Sequence, residues 1–123
     1  MDHNHTVMIV EDEALIGLDL ARSLQKADYD VAGPFETSAE ANKWLEQSAP
    51  VCALLDVNLG DGSNSFELAA RLAASNIPFG FLTGYAASKG HIDQQFNDVP
   101  KLSKPCRPEE VVAMVRALSV RHS

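Results

Sequence analysis

The sequence is short of basic residues, and that shortage removes one class of function at the outset. Ten Lys plus Arg stand against seventeen Asp plus Glu, a formal net charge of −7 that is spread along the chain rather than gathered in one block. A domain that binds nucleic acid directly needs a basic face to displace the counterions of the phosphates, so no direct nucleic-acid partner is expected. Long apolar runs are lacking too. None approaches the ~20 residues of a membrane-spanning helix, so no membrane insertion is expected. The opening MDHNHTVMIVEDE lacks the basic, apolar and small-residue order of a secretory signal, which leaves the cytoplasm as the expected compartment. Cysteine is scarce: Cys52 lies in an apolar run and Cys106 beside a proline, with neither a CxxC nor a metal-ligand spacing. Both are expected to be reduced and structural. His3 and His5 at the N-terminus favour simple disorder over a metal clip.

What is present is a globular composition, 46% apolar and 22% charged over 123 residues. That length can bury well over half of its unfolded surface around one core, so residues 1–123 are expected to form one domain. Short apolar runs alternate with longer segments of helical period, a pattern of repeated βα units and hence of a parallel sheet. Strands are predicted at 7–10, 29–32, 51–55 and 79–82, with a brief fifth around Leu102. The run 51–55, VCALL, is apolar at every position, as expected of a central strand covered on both faces. A helix over 14–27 carries Leu15, Leu18, Ala21 and Leu24 as the stripe facing the sheet. Thr37 and Glu40 have the spacing of a capping box that opens a helix to about residue 47. Phe66, Leu68, Ala69, Leu72 and Ala73 mark a third helix ending near Asn76. The polar stretch 86–97 predicts a short or mobile helix. Pro108, Glu109 and Glu110 open the last one, whose buried stripe is Val111, Val112, Val115 and Leu118.

In open parallel sheets the ligand site lies beyond the carboxyl ends of the strands. Four polar clusters fall there: Glu11 with Asp12 after the first strand, Asp56 after the third, Thr83 after the fourth and Lys104 after the fifth. Two carboxylates ~4 Å apart repel by about 4 kcal/mol at an effective dielectric near 20, so such a cluster needs cations. A hard divalent ion such as Mg²⁺ and the Lys104 ammonium would both serve. A carboxylate, Mg²⁺, a hydroxyl and an ammonium are together the parts of phosphoryl transfer to an aspartate. The carboxylate is the acceptor, and the rest neutralise the transferring oxygens.

Each residue also has a plainer reading. Glu11, Asp12 and Glu13 suit the positive end of a helix dipole, Asp56 suits a turn, Thr83 suits a helix cap, and Lys104 suits solvent. Their joint placement at strand ends favours the site. Gly60, Gly62 and Ser63 imitate a dinucleotide loop faintly, but the third glycine is missing because residue 65 is Ser.

The acidic pair in VEDE, Asp56 in LLDVNL, Thr83 in FLTGY and Lys104-Pro105 in KLSKP resemble, in that order, the receiver domains of bacterial two-component response regulators. The resemblance covers nearly the whole chain. It implies a flavodoxin-like (βα)5 three-layer sandwich with a parallel five-stranded sheet of order 2-1-3-4-5. It further implies Asp56 as phosphoacceptor, Asp12, Asp56 and the carbonyl of Asn58 as Mg²⁺ ligands, and Glu11 acting through a metal-bound water. Thr83 and Lys104 match the phosphate-contacting hydroxyl and lysine, and the Lys104-Pro105 bond is expected to be cis.

Two departures stand out. Most receivers carry a Phe or Tyr three residues before the lysine, which rotates inward on phosphorylation; here that residue is Lys101. FLTGY, with DVNLGDG and PFGF, resembles a Phe-Ala-Thr-Gly-Tyr-like subgroup associated with histidine kinases of the HWE and related classes. In that setting Tyr85 either replaces the missing switch or is an ordinary half-buried tyrosine. The implied partners are a sensor histidine kinase or a histidine phosphotransfer protein, and a downstream effector. The implied effector face is the 86–97 segment, the fifth strand and the last helix. Two alternatives stay open: a receiver cut from a larger hybrid kinase, and a phosphatase working through an aspartyl-phosphate. The phosphatase would need a second acid two residues after the nucleophile, where this chain has Asn58.

Overall fold

Five short parallel strands form one sheet in the order β2-β1-β3-β4-β5. The structure, a computed structural model, describes residues 4–59, 65–84 and 94–121. The strands are β1 (Thr6–Val10), β2 (Asp30–Phe35), β3 (Cys52–Asp56), β4 (Phe79–Thr83) and β5 (Lys101–Ser103). The helices are α1 (Ala14–Lys26), α2 (Ser38–Leu45), α3 (Phe66–Ala74) and α4 (Pro108–Arg121), and Gln94–Phe96 form a 3₁₀ turn. This is the flavodoxin-like order that the motifs imply.

Strand alternation divides the core in two. Met8, Val10, Ala53, Leu55, Phe79 and Phe81 point to one face, where α2 and α3 pack. Val7, Ile9, Cys52, Leu54 and Leu82 point to the other, under α1 and α4. β1, β3 and β4 are therefore buried on both sides, which is why their residues read as unbroken apolar runs rather than as alternation.

Three local features differ from the expectations. The buried stripe of α1 is Gly17, Leu20, Ala21 and Leu24, whereas Leu15 is 78% exposed and Leu18 47% exposed. Both stripes have helical spacing, and the one that wins is the one whose glycine lets the helix settle on the sheet. A Cβ on Gly17 would come within 2.8 Å of the Pro34 ring. Secondly, β2 does not stop at residue 32 but runs through Gly33-Pro34 to Phe35, with an irregularity in the pairing between Met8 and Val10. An edge strand tolerates proline because that side of it needs no ladder donor, and Gly33 supplies a φ of +98°. Both Gly33-Pro34 and Lys104-Pro105 are cis, the second as expected and the first not foreseen.

Thirdly, Phe96 belongs to the core. It is 4% exposed and packs among Phe66, Phe79 and Phe81, with ring centroids 5.6 to 6.0 Å away. The polar character of its neighbours concealed it. Residues 86–93 of the predicted fourth helix lie outside the described residues, and 94–96 form only the 3₁₀ turn.

The helix-start signals are realised with one variation. Thr37 accepts a hydrogen bond from the Glu40 amide at 3.2 Å, while Glu40 reaches back to the amide of Glu36 rather than that of Thr37.

Candidate functional site

The carboxyl ends of β1, β3, β4 and β5 bring Glu11, Asp56, Thr83 and Lys104 to one end of the sheet. Each strand supports its residue by ladder hydrogen bonds: the Val57 amide donates to the Leu82 carbonyl and the Lys104 amide to the Thr83 carbonyl, at 3.1 and 2.8 Å. Rigid strands fix such groups better than loops do. Glu11, just past β1, is fully buried, and its amide donates to the Phe35 carbonyl at 2.8 Å across the β1–β2 irregularity.

Lys104 is the hub. Its Nζ donates to Glu11 Oε1 at 3.0 Å and to Asp56 Oδ2 at 3.1 Å, and pairs with Glu13 Oε1 at 3.5 Å. The other Asp56 oxygen, Oδ1, accepts from the Asn58 amide at 3.3 Å. Carboxylate oxygens of Glu11, Asp12 and Asp56 all lie within 4.8 Å of one another, with Glu11 and Asp56 buried and Asp12 half-buried. Thr83 is 6% exposed, and its hydroxyl donates to the Leu102 carbonyl on β5 at 3.4 Å.

Electrostatics follow from this crowding. Burial pushes the Asp56 carboxyl up to about 7, Glu11 adds to the rise, and Lys104 opposes it. For Lys104, burial works against the charged form, but the hydrogen bond to Glu11 and the charge of Asp56 more than offset it. Its ammonium is held above the ordinary lysine range. One lysine does not neutralise two buried carboxylates and a half-buried third. A hard divalent cation fits the donor set, since all the converging atoms are oxygens and Asp12 keeps one side open to water.

The residues expected at the site thus converge, apart from Tyr85, which lies outside the described residues. Glu13, which the sequence places only at the helix start, also reaches Lys104. It is the N-cap residue of α1 (φ −85°, ψ 109°); its amide donates to Glu11 Oε2 at 3.0 Å and its own Oε1 lies 3.5 Å from Lys104 Nζ. The cysteines are free, as expected; burial pushes the Cys52 thiol up to about 11 and also raises that of Cys106. Beside the site, a groove of about 700 Å³ runs between α1 and α4. It is lined by Ile16, Leu20, Cys106 and Val112 among others, and by none of the site acids.

Comparison with known proteins agrees with this geometry. The family model of the response regulator receiver domain matches residues 7–116. The chain therefore belongs to the response regulator receiver family. Among curated proteins it is similar to the swarming motility regulation protein RssB of Serratia marcescens, with 30% identity over 94% of this chain and 53% of that protein. It is also similar to the transcriptional regulatory protein PdtaR of Mycobacterium tuberculosis, with 26% identity over 93% of this chain and 55% of that protein. The chain spans about half the length of these curated relatives. Among solved structures, SdrG from Sphingomonas melonis Fr1 superposes with a TM-score of 0.83 at 37% identity, covering 98% of this chain and 99% of that one. Among the described residues no helix is long and apolar enough to cross a membrane.

Proposed function

We propose that the protein is a phosphoacceptor switch of a two-component phosphorelay, in which Asp56 takes a phosphoryl group from a histidine of a partner. The observation that carries this reading is the placement of Asp56. It is a 4% exposed carboxylate fixed at the end of the central strand, between the Lys104 ammonium and the carboxylates of Glu11 and Asp12.

A carboxylate oxygen of Asp56 forms the new bond to phosphorus, and the P–N bond to the donor imidazole breaks with its electron pair going to nitrogen. Asp56 must be ionised to attack, and the Lys104 ammonium favours the ionised form. As charge develops on the phosphoryl oxygens, Lys104 Nζ and the Thr83 hydroxyl are assigned as donors to them. Asp12, Asp56 and the Asn58 carbonyl would hold Mg²⁺, with Glu11 acting through a metal-bound water. The ion supplies a second positive charge against the transferring oxygens. Asn58 cannot serve as the acid and base that a turnover phosphatase would require, so the aspartyl-phosphate is expected to persist as a signal.

The donor is a sensor histidine kinase, in the class associated with the FLTGY-like motif, or a histidine phosphotransfer protein. Leu15 and Leu18 support a protein donor. They are exposed apolar side chains in the first turns of α1, directly after Glu11–Glu13, and offer apolar surface beside the acids for a protein to cover. The effector is taken to dock on the face of the 86–97 segment, β5 and α4, and Tyr85 is assigned the switch role. Tyr85→Ala should then alter the amide shifts that phosphorylation induces in residues 86–97, and an unchanged pattern would remove Tyr85 from the mechanism.

The reading is tested by incubating the protein with a small phosphodonor and Mg²⁺ and following its intact mass. A gain of one phosphoryl group that is absent in Asp56→Asn supports it. Continuous phosphate release would favour the phosphatase, and no adduct with either a small donor or a kinase would sink both.

A further inference from the structure

β5 is only three residues long and is tied down at both ends by lysines. At its carboxyl end Lys104 bonds to Glu11 and Asp56, and the Thr83 hydroxyl holds the Leu102 carbonyl. At its amino end Lys101 Nζ donates to the carbonyls of Val99, Asn97 and Phe96 at 2.7, 3.1 and 3.3 Å. An ammonium has three donors, and here all three serve carbonyls at the end of the 3₁₀ turn and just after it. That turn is anchored in turn by Phe96, which packs on Phe81, and Phe81 is the β4 residue paired with Lys101.

We propose that Lys101 is a positioning residue that carries a change at the acidic site to the 94–99 turn. This rests on the reading of Asp56 as phosphoacceptor. The Thr83 hydroxyl has one proton, so when it donates to a phosphoryl oxygen it can no longer donate to the Leu102 carbonyl. Lys104 at the same moment turns toward the new oxygens. The three-residue strand loses its side-chain tie to Thr83 while its lysine is drawn toward the site, and it shifts as one body. The carbonyls clamped by Lys101 shift with it, about 10 Å away along a strand that rises ~3.3 Å per residue. In this path the strand is the lever and the ammonium is the grip.

The test compares wild type, Lys101→Met and Lys101→Arg, each with Mg²⁺ and a small phosphodonor, by intact mass and by amide shifts of residues 97–99. Methionine keeps the length of the stem and removes the donors, whereas arginine keeps donors and charge. All three should gain the phosphoryl group to the same extent. Wild type and Lys101→Arg should shift at Asn97 and Val99, and Lys101→Met should show less than a third of that shift. Full wild-type shifts in phosphorylated Lys101→Met, or no shift at these amides in phosphorylated wild type, would overturn the inference and leave the phosphoacceptor reading standing. Failure of wild type to gain the group would overturn both.

Discussion

A carboxylate shut away from water beside another carboxylate keeps its charge only through a cation, and at Asp56 that cation is Lys104. The folded-state value of about 7 lies above the ordinary 3.8, so the native state holds a proton there that the unfolded chain has released. Stability from this group is full below about pH 4 and is lost as pH rises through about 7. Metal-free protein should therefore lose stability across that window, and Asp56→Asn should remove much of the slope. One pKa unit is about 1.4 kcal/mol, so at pH 8 the variant should unfold at higher denaturant, by ~1–3 kcal/mol. A variant less stable than wild type at pH 8 would contradict the electrostatic account. Lys104→Met acts in the opposite sense. It leaves Glu11 and Asp56 buried without their partner and should cost ~3 kcal/mol without metal, part of which Mg²⁺ recovers in a thermal melt.

At the scale of elements, α1 serves the site twice. Its inner face lies on the sheet through Gly17, whose missing side chain admits the Pro34 ring and leaves Glu11 Cγ only 3.8 Å from where a Cβ would stand. Gly17→Ala should force helix and ring apart, costing ~1–3 kcal/mol despite the better helix propensity of alanine. A stabilised variant in a denaturant titration would show that the close approach is not required. The outer face exposes Leu15 and Leu18, the surface proposed for the donor. Changing both to Ser should slow transfer from the kinase about tenfold or more while leaving phosphorylation by a small donor unchanged. Equal slowing with both donors would place their effect in the fold instead.

For the whole molecule, the sheet and the site were legible in the sequence because one rule governs both. A parallel sheet covered on two faces needs uninterrupted apolar strands, and it presents its ligands where those runs stop, as VCALLD does at Asp56. Helix facing was less legible. Leu15-Leu18-Leu24 and Gly17-Leu20-Leu24 share a period, and only the packing of Gly17 on Pro34 decides between them. Lys101 and Phe96 were hidden for a different reason. Their roles rest on main-chain carbonyls and on a ring cluster assembled from three segments, neither of which leaves a periodic trace.

The most direct test locates the phosphoryl group. The phosphorylated protein is treated with borohydride, which reduces an acyl phosphate to an alcohol and so converts the carrying aspartate to homoserine. Peptide mass spectrometry then reads the position. The account predicts homoserine at residue 56 alone, dependent on Mg²⁺ during phosphorylation. Reduction at residue 12 or at any other carboxylate, or none in protein whose mass has risen, would contradict it.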